Sequence, residues 1–508
     1  MKVRRIVSVL LVACILFSFS ACKKAGNATS DASQENNTSW DVSAVSDELN
    51  ASDLVSTESG ANAVGSNKTG APGNVGSTSN SNINTADLKA NLNFNGATIT
   101  ILREWGAYER GKATVWDNWL DRVAEVEKKY NVKIIEKKWS VTLAQEALSG
   151  SKPEGNLYQI SSGEVYNYIN AGYLADYNTA MNETGIDMTS SIYNNINVQL
   201  NNINGKQYTA GYGEARVPTM VIFNKSIVEG LGYDIYSLMD SKQWTWDKMT
   251  EIAQKATKRD ASGAVTQYGL GINTDTVAAL SVSNGGKVGS IDSDGSFSVA
   301  LDSQPVRESM QQLYQWCNVD KVAKYNWGNL QWDALDNDFA AGKVAMYFGG
   351  HNSISQAYAN LSDDWGIAYL PMGPRSSDYV SLLTDEYSYV IPLAYKDNAK
   401  DYLLLLDELY QPYSGYTVDD QYRDEWIRYF KDAQAYNTFK ALHRTVNQVW
   451  DPSIKFNVGS DNAPYSSVIG KLFQGTITVG TLVDTYQTAY ETGIKDRYAG
   501  LKYTGSIK

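Results

Sequence analysis

Short apolar stretches alternate with longer amphipathic ones through most of the chain. The stretch 97–105 reads ATITILREW, an apolar run that ends in charged and aromatic residues. In 117–130 the apolar residues recur at helical spacing, namely at Leu120, Val123, Val126 and Tyr130. The next stretch, 131–139, is again short and rich in apolar residues. A strand, a helix and a strand in close succession predict a parallel βαβ unit.

The same alternation continues along the chain. Amphipathic stretches that predict helices cover 246–258, 305–317, 399–411 and 438–450. Short apolar stretches between them, such as 219–223 and 344–348, predict strands. At the start of the helix over 246–258, Thr245 suits the N-cap and Trp246 falls on the apolar face, so we expect Trp246 in the core. The pattern predicts an α/β protein without internal repeats.

Residues at strand ends are the first candidates for a binding site, because ligands of open parallel sheets bind beyond the carboxyl ends of the strands. This rule selects Glu104, Trp105, Asn273, Asp275, His351 and Asn352. Gly349 and Gly350 allow a close turn of the backbone before the last two of these. Trp327 is a further candidate, because its spacing from Trp332 fits neither a helix nor a strand. For Trp105 and Trp327, packing in the core is the alternative.

The first residues resemble a bacterial lipoprotein signal. Three basic residues precede an apolar run, 6–19, which is too short for an ordinary membrane span. Small residues then precede Cys22, as in the lipobox, although Phe19 stands where that motif usually has Leu. We predict a signal peptide over 1–21 and lipidation of Cys22. The alternative is an ordinary signal peptide followed by a chance cysteine.

A polar segment follows this signal. Residues 23–85 consist mainly of Ser, Asn, Thr, Gly and Ala, and Trp40 is their only aromatic residue. Such a composition cannot bury enough apolar surface to offset the entropy lost on ordering. We therefore predict a lipidated N-terminus and disordered tether over 22–90, which holds a globular body away from a membrane.

The composition argues against several classes of function. The chain of 508 residues has 56 acidic and 44 basic side chains, and an acidic body is a poor partner for nucleic acid. Only 2 histidines occur, which argues against a metal site built from histidine, and we predict no metal and no cofactor. Cys317 is the only cysteine after Cys22, so we expect no disulfide framework.

Local motifs for enzyme chemistry are missing from the sequence. It has no G-x-G-x-x-G, P-loop, G-x-S-x-G, H-E-x-x-H or C-x-x-C. A pair of glycosidase carboxylates leaves no spacing signature, so a carbohydrate-cleaving enzyme stays an alternative. The run 292–297, DSDGSF, begins like a calcium loop, but Ser303 replaces the Glu of its twelfth position. A hairpin turn at Asp-Gly is the stronger interpretation.

Three segments carry a family resemblance. They are 204–232, with IFNK at the end of a strand, 244–258, which begins WTWD, and 338–346, which contains F-x-x-G-K-x-A-M. Together they resemble the extracellular solute-binding proteins of the maltose-binding-protein type, the sugar receptors of ABC importers. The resemblance covers about 97–490, and Phe223 departs from it where the family has Tyr.

The resemblance implies an α/β fold of two lobes, periplasmic-binding-protein-like and of type II. Each lobe is then a mixed, mostly parallel sheet flanked by helices. The chain crosses between the lobes three times, near 214, 386 and 456. The corresponding division is 91–213 with 386–455 for lobe 1, and 214–385 with 456–508 for lobe 2.

Further site residues follow from the resemblance. The family has polar sugar contacts at the positions of Ser162 and Glu164, and the three crossovers bring Arg216, Tyr387 and Tyr465 towards the ligand. Maltose receptors have Pro and Trp where this chain has His351 and Asn352. We therefore expect the histidine ring to replace the stacking platform in part and the amide to bind by hydrogen bonds.

The function implied is that of a lipid-anchored, extracytoplasmic receptor that binds a sugar, expected to be an oligosaccharide, and delivers it to an ABC permease. A pyranose has an apolar face that Trp and Tyr cover, and hydroxyls that carboxylates, amides and Arg bind. We expect a monomer that does no chemistry on its ligand. The alternatives are a secreted carbohydrate-active enzyme and a glycan-binding or sensor protein without a role in transport.

Overall fold

The computed structural model describes residues 83–213, 216–325, 333–351, 353–355, 361–384, 387–454, 458–459 and 463–506. The strands are β1 (Thr98–Arg103), β2 (Lys133–Lys138), β3 (Leu157–Ile160), β4 (Leu174–Ala175), β5 (Asn202–Ile203), β6 (Lys206–Gln207), β7 (Met220–Asn224), β8 (Lys258–Arg259), β9 (Val265–Ile272), β10 (Gly289–Ile291), β11 (Phe297–Val299), β12 (Ala323–Tyr325), β13 (Val344–Gly349), β14 (Trp365–Ala368), β15 (Val380–Leu382), β16 (Ser388–Pro392) and β17 (Asn447–Val449).

The α-helices are α1 (Thr85–Asn91), α2 (Thr114–Tyr130), α3 (Leu143–Ser149), α4 (Ser162–Asn170), α5 (Asn178–Thr184), α6 (Asn195–Leu200), α7 (Lys225–Gly230), α8 (Ile235–Asp240), α9 (Trp246–Ala256), α10 (Thr276–Ser283), α11 (Gln304–Tyr314), α12 (Ala334–Ala340), α13 (Ala399–Leu409), α14 (Val418–Trp426), α15 (Ala433–Arg444), α16 (Tyr465–Phe473) and α17 (Val479–Arg497).

The first sheet has five strands in the order β2-β1-β3-β16-β4, and we call it, with its helices, lobe 1. Strand β1 runs parallel to β2 and to β3, whereas β16 runs antiparallel to β3 and to β4. The predicted βαβ unit is confirmed, because β1, α2 and β2 follow one another and the two strands pair in parallel. Helix α2 buries its apolar face, made of Trp119, Val123, Val126 and Tyr130.

The second sheet has the order β12-β9-β13-β7-β14, with β8 paired to β9, and we call it, with its helices, lobe 2. Strands β12, β9 and β13 are parallel, and β7 is antiparallel to both β13 and β14. Every residue of β13 is buried, which explains its continuous apolar sequence. Two sheets of mixed, mostly parallel strands covered by helices confirm the predicted α/β class.

Local sequence signals are reproduced closely. The Thr245 hydroxyl caps α9 by accepting from the Lys248 amide, 3.2 Å away, and Trp246 is buried as expected. Strands β10 and β11 form an antiparallel hairpin around the Asp-Gly turn, with Gly295 at φ 82°. The hairpin interpretation of this segment is therefore confirmed.

Two segments connect the sheets side by side. Ala210 and Tyr389 exchange two backbone hydrogen bonds of 3.0 and 2.9 Å, and Arg216 and Thr384 exchange two of 2.9 Å. The first segment leads from β6 to β7 and the second from β15 to β16, so the two run antiparallel. We call these paired segments the hinge. The predicted crossover positions 214 and 386 lie outside the described residues, as does 456.

Two predicted assignments differ from the structure. The tether is predicted to extend to residue 90, but Thr85–Asn91 forms α1, and Lys89 of this helix pairs with Asp407 of α13 at 2.6 Å. The resemblance implies that 386–455 belongs to lobe 1, but α15 packs against β14 of lobe 2. Its Phe439 and Leu442 are buried in one cluster with Ile222 of β7. The helix also starts and ends earlier than the predicted 438–450, because Asp432 caps its first turn by accepting from the Ala435 amide. An amphipathic sequence shows that a helix covers a sheet but not which sheet.

Within the described ranges, no helix combines the length and the apolar character needed to cross a membrane. The longest of the described helices, α17, has 19 residues and includes several charged side chains.

Candidate functional site

Both sheets turn the carboxyl ends of their parallel strands towards the hinge. In lobe 1, Ile160 at the end of β3 pairs with Ser388, the first residue of β16 after the hinge. In lobe 2, Gly349 at the end of β13 pairs with Met220, the first residue of β7 after the hinge. Strands β1 and β9 run parallel to these two, so they end on the same sides. The residues that follow them form two edges which face the hinge, where open α/β sheets bind ligands.

The edge of lobe 1 begins with a buried cation. Arg103, the last residue of β1, is 2% exposed and forms an ion pair with Glu136 of β2. Its guanidinium also donates to the Gln159 side chain at 2.7 Å and lies 4.7 Å from the Tyr108 ring centre. Trp119 donates to the second oxygen of Glu136 at 2.9 Å. All of these partners lie within the protein, so Arg103 supports the edge and is not available to a ligand.

The next two residues of this edge are accessible. The Glu104 carboxylate is half-buried and accepts from the Ser161 amide, 3.1 Å away, at the start of α4. Trp105 is 72% exposed, the second most exposed of the large hydrophobic side chains in the described part. A large aromatic side chain held open to solvent at the end of a strand is available for stacking.

Glu164 of α4 lies beside Glu104. Desolvation, as the main cause, and the charge of Glu104 raise the pKa of the Glu164 carboxyl, although a hydrogen bond from Asn167 opposes this shift. Glu164 nevertheless keeps contact with solvent. An accessible yet partly desolvated carboxyl is what the wall of a cleft produces.

The edge of lobe 2 contains Asn273 and Asp275 after β9. The Asn273 side-chain oxygen accepts from the Thr276 amide at 3.2 Å, so it caps the first turn of α10. Asp275 makes no capping hydrogen bond and is exposed. Desolvation by the surrounding protein still raises the pKa of its carboxyl. Asp275 therefore has the same combination of access and desolvation as Glu164.

Tyr465, the first residue of α16, lies near Asp275. Burial raises the pKa of its hydroxyl, and the charges of Asp451 and Asp275 and the Tyr490 hydroxyl add to the shift. The Tyr465 hydroxyl is buried and has no hydrogen-bond partner among the described residues. The structure thus brings Asp275 and Tyr465, two of the predicted residues, into one neighbourhood.

His351 is placed differently from the expectation. It is 8% exposed, its Nδ1 lies 3.1 Å from the Val217 carbonyl oxygen, and its Nε2 lies 3.1 Å from Nε2 of His443. Trp426 and Phe439 cover the ring, with centres 5.0 and 5.4 Å away. Both ring nitrogens therefore contact protein, and no face of the ring is open for stacking. In this structure His351 is a core residue, because α14 and α15 pack over the strand end.

Two of the predicted site residues belong to the hinge, and three lie outside the described residues. Arg216 pairs through its backbone with Thr384, and Tyr387 is half-buried in the second hinge segment. Trp327, Asn352 and Cys22 lie outside the described residues, and of Ser162 only the backbone, at the start of α4, is described.

One neighbour of the acidic pair was missed. Tyr168 is buried, and after burial the charges of Glu164 and Glu104 are the causes that raise its pKa. It follows Glu164 by four residues on α4, so it lies on the same helix face. This spacing is the signal in the sequence that would have found it. In the part of the chain that the structure describes, no group of three or more His, Cys, Asp or Glu side chains is placed to hold a metal ion.

Comparison with known proteins decides the family. A family model described as bacterial extracellular solute-binding protein matches residues 113–412. The chain belongs to this family. Membership places this solute-binding protein outside the cytoplasm, and its relatives bind substrates and are not enzymes. A search of the curated proteins gives no significant match.

Solved structures share its fold. One is the maltose/maltodextrin-binding domain MalE from Bdellovibrio bacteriovorus, bound to maltotriose, which is 14% identical to this chain with a TM-score of 0.56. The match covers 78% of this chain and 100% of the MalE chain. Another is the galacto-N-biose-/lacto-N-biose I-binding protein from Bifidobacterium longum, in complex with lacto-N-biose, which is 16% identical with a TM-score of 0.56. This match covers 81% of this chain and 99% of that protein's chain. A third is UgpB from Mycobacterium tuberculosis, in complex with glycerophosphocholine, which is 16% identical with a TM-score of 0.57. This match covers 79% of this chain and 99% of the UgpB chain. At these identities the likeness shows the fold, the two-lobed type II fold of binding proteins.

Proposed function

We propose that this solute-binding protein captures a carbohydrate between its two lobes and delivers it to an ABC permease. One observation carries the proposal: the hinge-facing edge of lobe 1 presents Trp105, 72% exposed, directly after Glu104, whose carboxylate acts electrostatically on that of Glu164. An aromatic face next to hydrogen-bond acceptors suits the apolar face and the hydroxyl rim of a pyranose. Two of the similar solved structures hold oligosaccharides.

The charge of the edges favours a sugar over a phosphate ester. UgpB holds glycerophosphocholine, so the fold alone does not select the ligand class. Glu104, Glu164 and Asp275 are carboxylates that accept hydrogen bonds from hydroxyls and repel a phosphate. We propose an uncharged oligosaccharide, bound with Glu104, Trp105, Ser162, Glu164, Arg216, Asn273, Asp275, Trp327, Asn352, Tyr387 and Tyr465 as the candidate contacts.

The motion and the anchoring belong to the same proposal. Closure of the lobes about the hinge would bury the ligand, and the closed form would dock on the permease. Lipidation of Cys22 would tether the monomer to the membrane. A Cys22→Ser variant expressed in a bacterium that processes lipoproteins should leave the membrane fraction; retention of this variant on the membrane would contradict the anchor.

The test of the ligand is a thermal-shift screen against mono- and oligosaccharides, because a ligand that binds the native state raises the unfolding temperature. Each hit is then titrated against Trp105→Ala and against Leu148→Ala, a matched change at another exposed apolar side chain of lobe 1. We expect Trp105→Ala alone to weaken binding. If no sugar stabilises the protein, or if both variants bind equally well, the proposed site is wrong.

Two further measurements separate this function from its alternatives. Small-angle scattering should show a smaller radius of gyration with saturating sugar than without it, as hinge closure requires. Incubation of purified protein with each hit should return the sugar intact. Hydrolysis of a hit by the purified protein would favour the carbohydrate-active enzyme, for which two opposed carboxylates are needed.

A further inference from the structure

The segment 498–506, which we call the strap, follows the last helix, α17, and lies between hairpins of both lobes. On one side is the β5–β6 hairpin, which lies in the chain between α6 and the hinge and is counted with lobe 1. On the other side is the β10–β11 hairpin, which lies in the chain between α10 and α11 and is counted with lobe 2. The backbone of the strap pairs with the first hairpin at Ile203 and Tyr503.

The contacts with lobe 1 form a ladder. Asn204 donates its amide to the Lys502 carbonyl at 2.7 Å, and its side-chain oxygen accepts from the Lys502 amide at 2.8 Å. The same side chain donates to the Gly500 carbonyl at 3.0 Å. Further along, the Thr504 amide donates to the Asn202 carbonyl at 2.9 Å, and the Ser506 amide donates to the Gln199 side chain at 2.9 Å.

The contacts with lobe 2 come from the same residues of the strap. The Tyr503 amide donates to the Gly295 carbonyl at 2.8 Å, and Lys502 pairs with Asp294 at 2.6 Å. The Tyr503 ring packs on Trp450, with centres 5.4 Å apart. The approach at Gly295 is close, since a Cβ there would lie 2.6 Å from the Tyr503 carbonyl oxygen.

The surfaces beside the strap also touch. Tyr166 of α4 packs on Phe297 of β11, with ring centres 5.2 Å apart, and Phe297 packs on Tyr498 at 6.1 Å. The Tyr498 hydroxyl donates to Asn167 at 3.3 Å. The strap and its surroundings therefore connect the lobes at a place separate from the paired hinge segments.

We propose that the strap restrains the rotation of the lobes about the hinge, so that it must detach from one hairpin when the lobes move. The inference rests on the lobe motion of the proposed function. Its physical basis is that one short segment is hydrogen-bonded to both lobes. Each bond contributes modestly, so the restraint is reversible. A segment that only completed the surface of lobe 2 would not affect the hinge when it is lost.

The test is hydrogen–deuterium exchange on the full chain without ligand, read at the hinge amides of Ala210, Arg216, Thr384 and Tyr389. Asn204→Gly removes the side-chain hydrogen bonds to Lys502 and Gly500. It keeps the backbone conformation, because Asn204 has φ 55° and glycine adopts this left-handed region readily. Asn95→Gly is the matched control, an exposed left-handed asparagine at φ 53° away from the strap. A chain shortened to end at Leu501 removes every hydrogen bond of the ladder except the one from Asn204 to the Gly500 carbonyl.

We expect exchange at the hinge amides to rise about threefold in Asn204→Gly and further in the shortened chain, with Asn95→Gly like the native protein. Faster exchange confined to 199–205, with native rates at the hinge, would overturn the proposal even if the shortened chain failed to fold, because Asn204→Gly reports independently. The readout needs no sugar. If a sugar binds but Asn204→Gly leaves exchange at the hinge amides unchanged, only the restraint by the strap is refuted. If Asn204→Gly raises exchange at the hinge amides but no sugar binds in the screen, only the proposed ligand is refuted.

Discussion

The hinge-facing edges of the two lobes use their polar and aromatic residues in opposite ways. In lobe 1 the strand end leads to Trp105, which is 72% exposed, whereas in lobe 2 it leads to His351, which is 8% exposed. Both follow a buried strand that ends at the same kind of position. Position at a strand end therefore selects residues near the site, but the elements that pack over the edge decide whether a side chain is open to a ligand.

The covering elements come from distant parts of the chain. Trp426 and Phe439 of lobe 2 cover His351, whereas no comparable element among the described residues covers Trp105. Lobe 1 also has a buried polar side chain at its edge, Arg103. Glu136 neutralises its charge, and the Tyr108 ring packs against its guanidinium. Each edge thus combines a buried polar support with an accessible carboxylate, Glu164 in lobe 1 and Asp275 in lobe 2. The comparison can be tested residue by residue.

The largest effect is expected at the buried support of lobe 1. Arg103→Met leaves the Glu136 carboxylate buried without its cation, which should cost about 3–5 kcal/mol in the free energy of unfolding. The measurement is urea-induced unfolding of both proteins at pH 7. Adding Glu136→Leu should recover most of the loss, because the unpaired charge disappears. A loss below about 1 kcal/mol in the single variant would show that the pair is solvated.

The second effect concerns the histidines of lobe 2. Burial, as the main cause, lowers the pKa of His443 to about 4 and lowers that of His351 well below its usual value. The unfolded chain therefore binds protons at a higher pH than the folded chain. Stability from His443 is fully present above about pH 6.5 and falls by about 3 kcal/mol as pH drops to about 4.

This pH dependence can be assigned by a variant. In His443→Gln, the free energy of unfolding should fall less between pH 7 and pH 4 than it does in the native protein, since one titrating group is gone. Urea unfolding at a series of pH values measures both slopes. Arg103 carries no such dependence in this range, because a guanidinium stays charged. If the free energy of unfolding falls equally with pH in the two proteins, the folded protein does not hold His443 in its neutral form.

A third effect separates binding from stability. Trp105→Ala removes an exposed side chain, so the unfolding temperature without ligand should stay within about 1 °C of the native value. Affinity for the sugar found in the screen should fall about tenfold, which equals about 1.4 kcal/mol. Calorimetric titration measures the affinity. An unchanged dissociation constant would remove Trp105 from the site and leave the comparison of the two edges without its functional meaning.

The smallest effect distinguishes two neighbours in lobe 2. Asn273→Ala removes the cap of α10 and should cost about 1 kcal/mol of unfolding free energy. Asp275→Asn, which alters no cap, should leave stability unchanged within about 0.5 kcal/mol and should weaken sugar binding. The pair is measured by urea unfolding and by titration. A loss of stability in Asp275→Asn larger than that in Asn273→Ala would reverse the assignment of the two roles.

The sequence alone determined the local structure and the class of fold. Apolar spacing predicted β1, α2 and β2, and the capping threonine predicted the start of α9, because these signals act between residues a few positions apart. The Asp-Gly hairpin was predicted for the same reason. Three weak motifs in the right order predicted the solute-binding family, to which residues 113–412 of the chain are matched.

The tertiary structure decided which candidates lie open and which are enclosed. The covering of His351 depends on residues about 75 to 90 positions later, and Arg103 is neutralised by Glu136, 33 positions away. The choice of lobe 2 by α15 and the course of the strap depend likewise on surfaces assembled from separate parts of the chain. Burial is a property of these assembled surfaces, and no local spacing in the sequence encodes it.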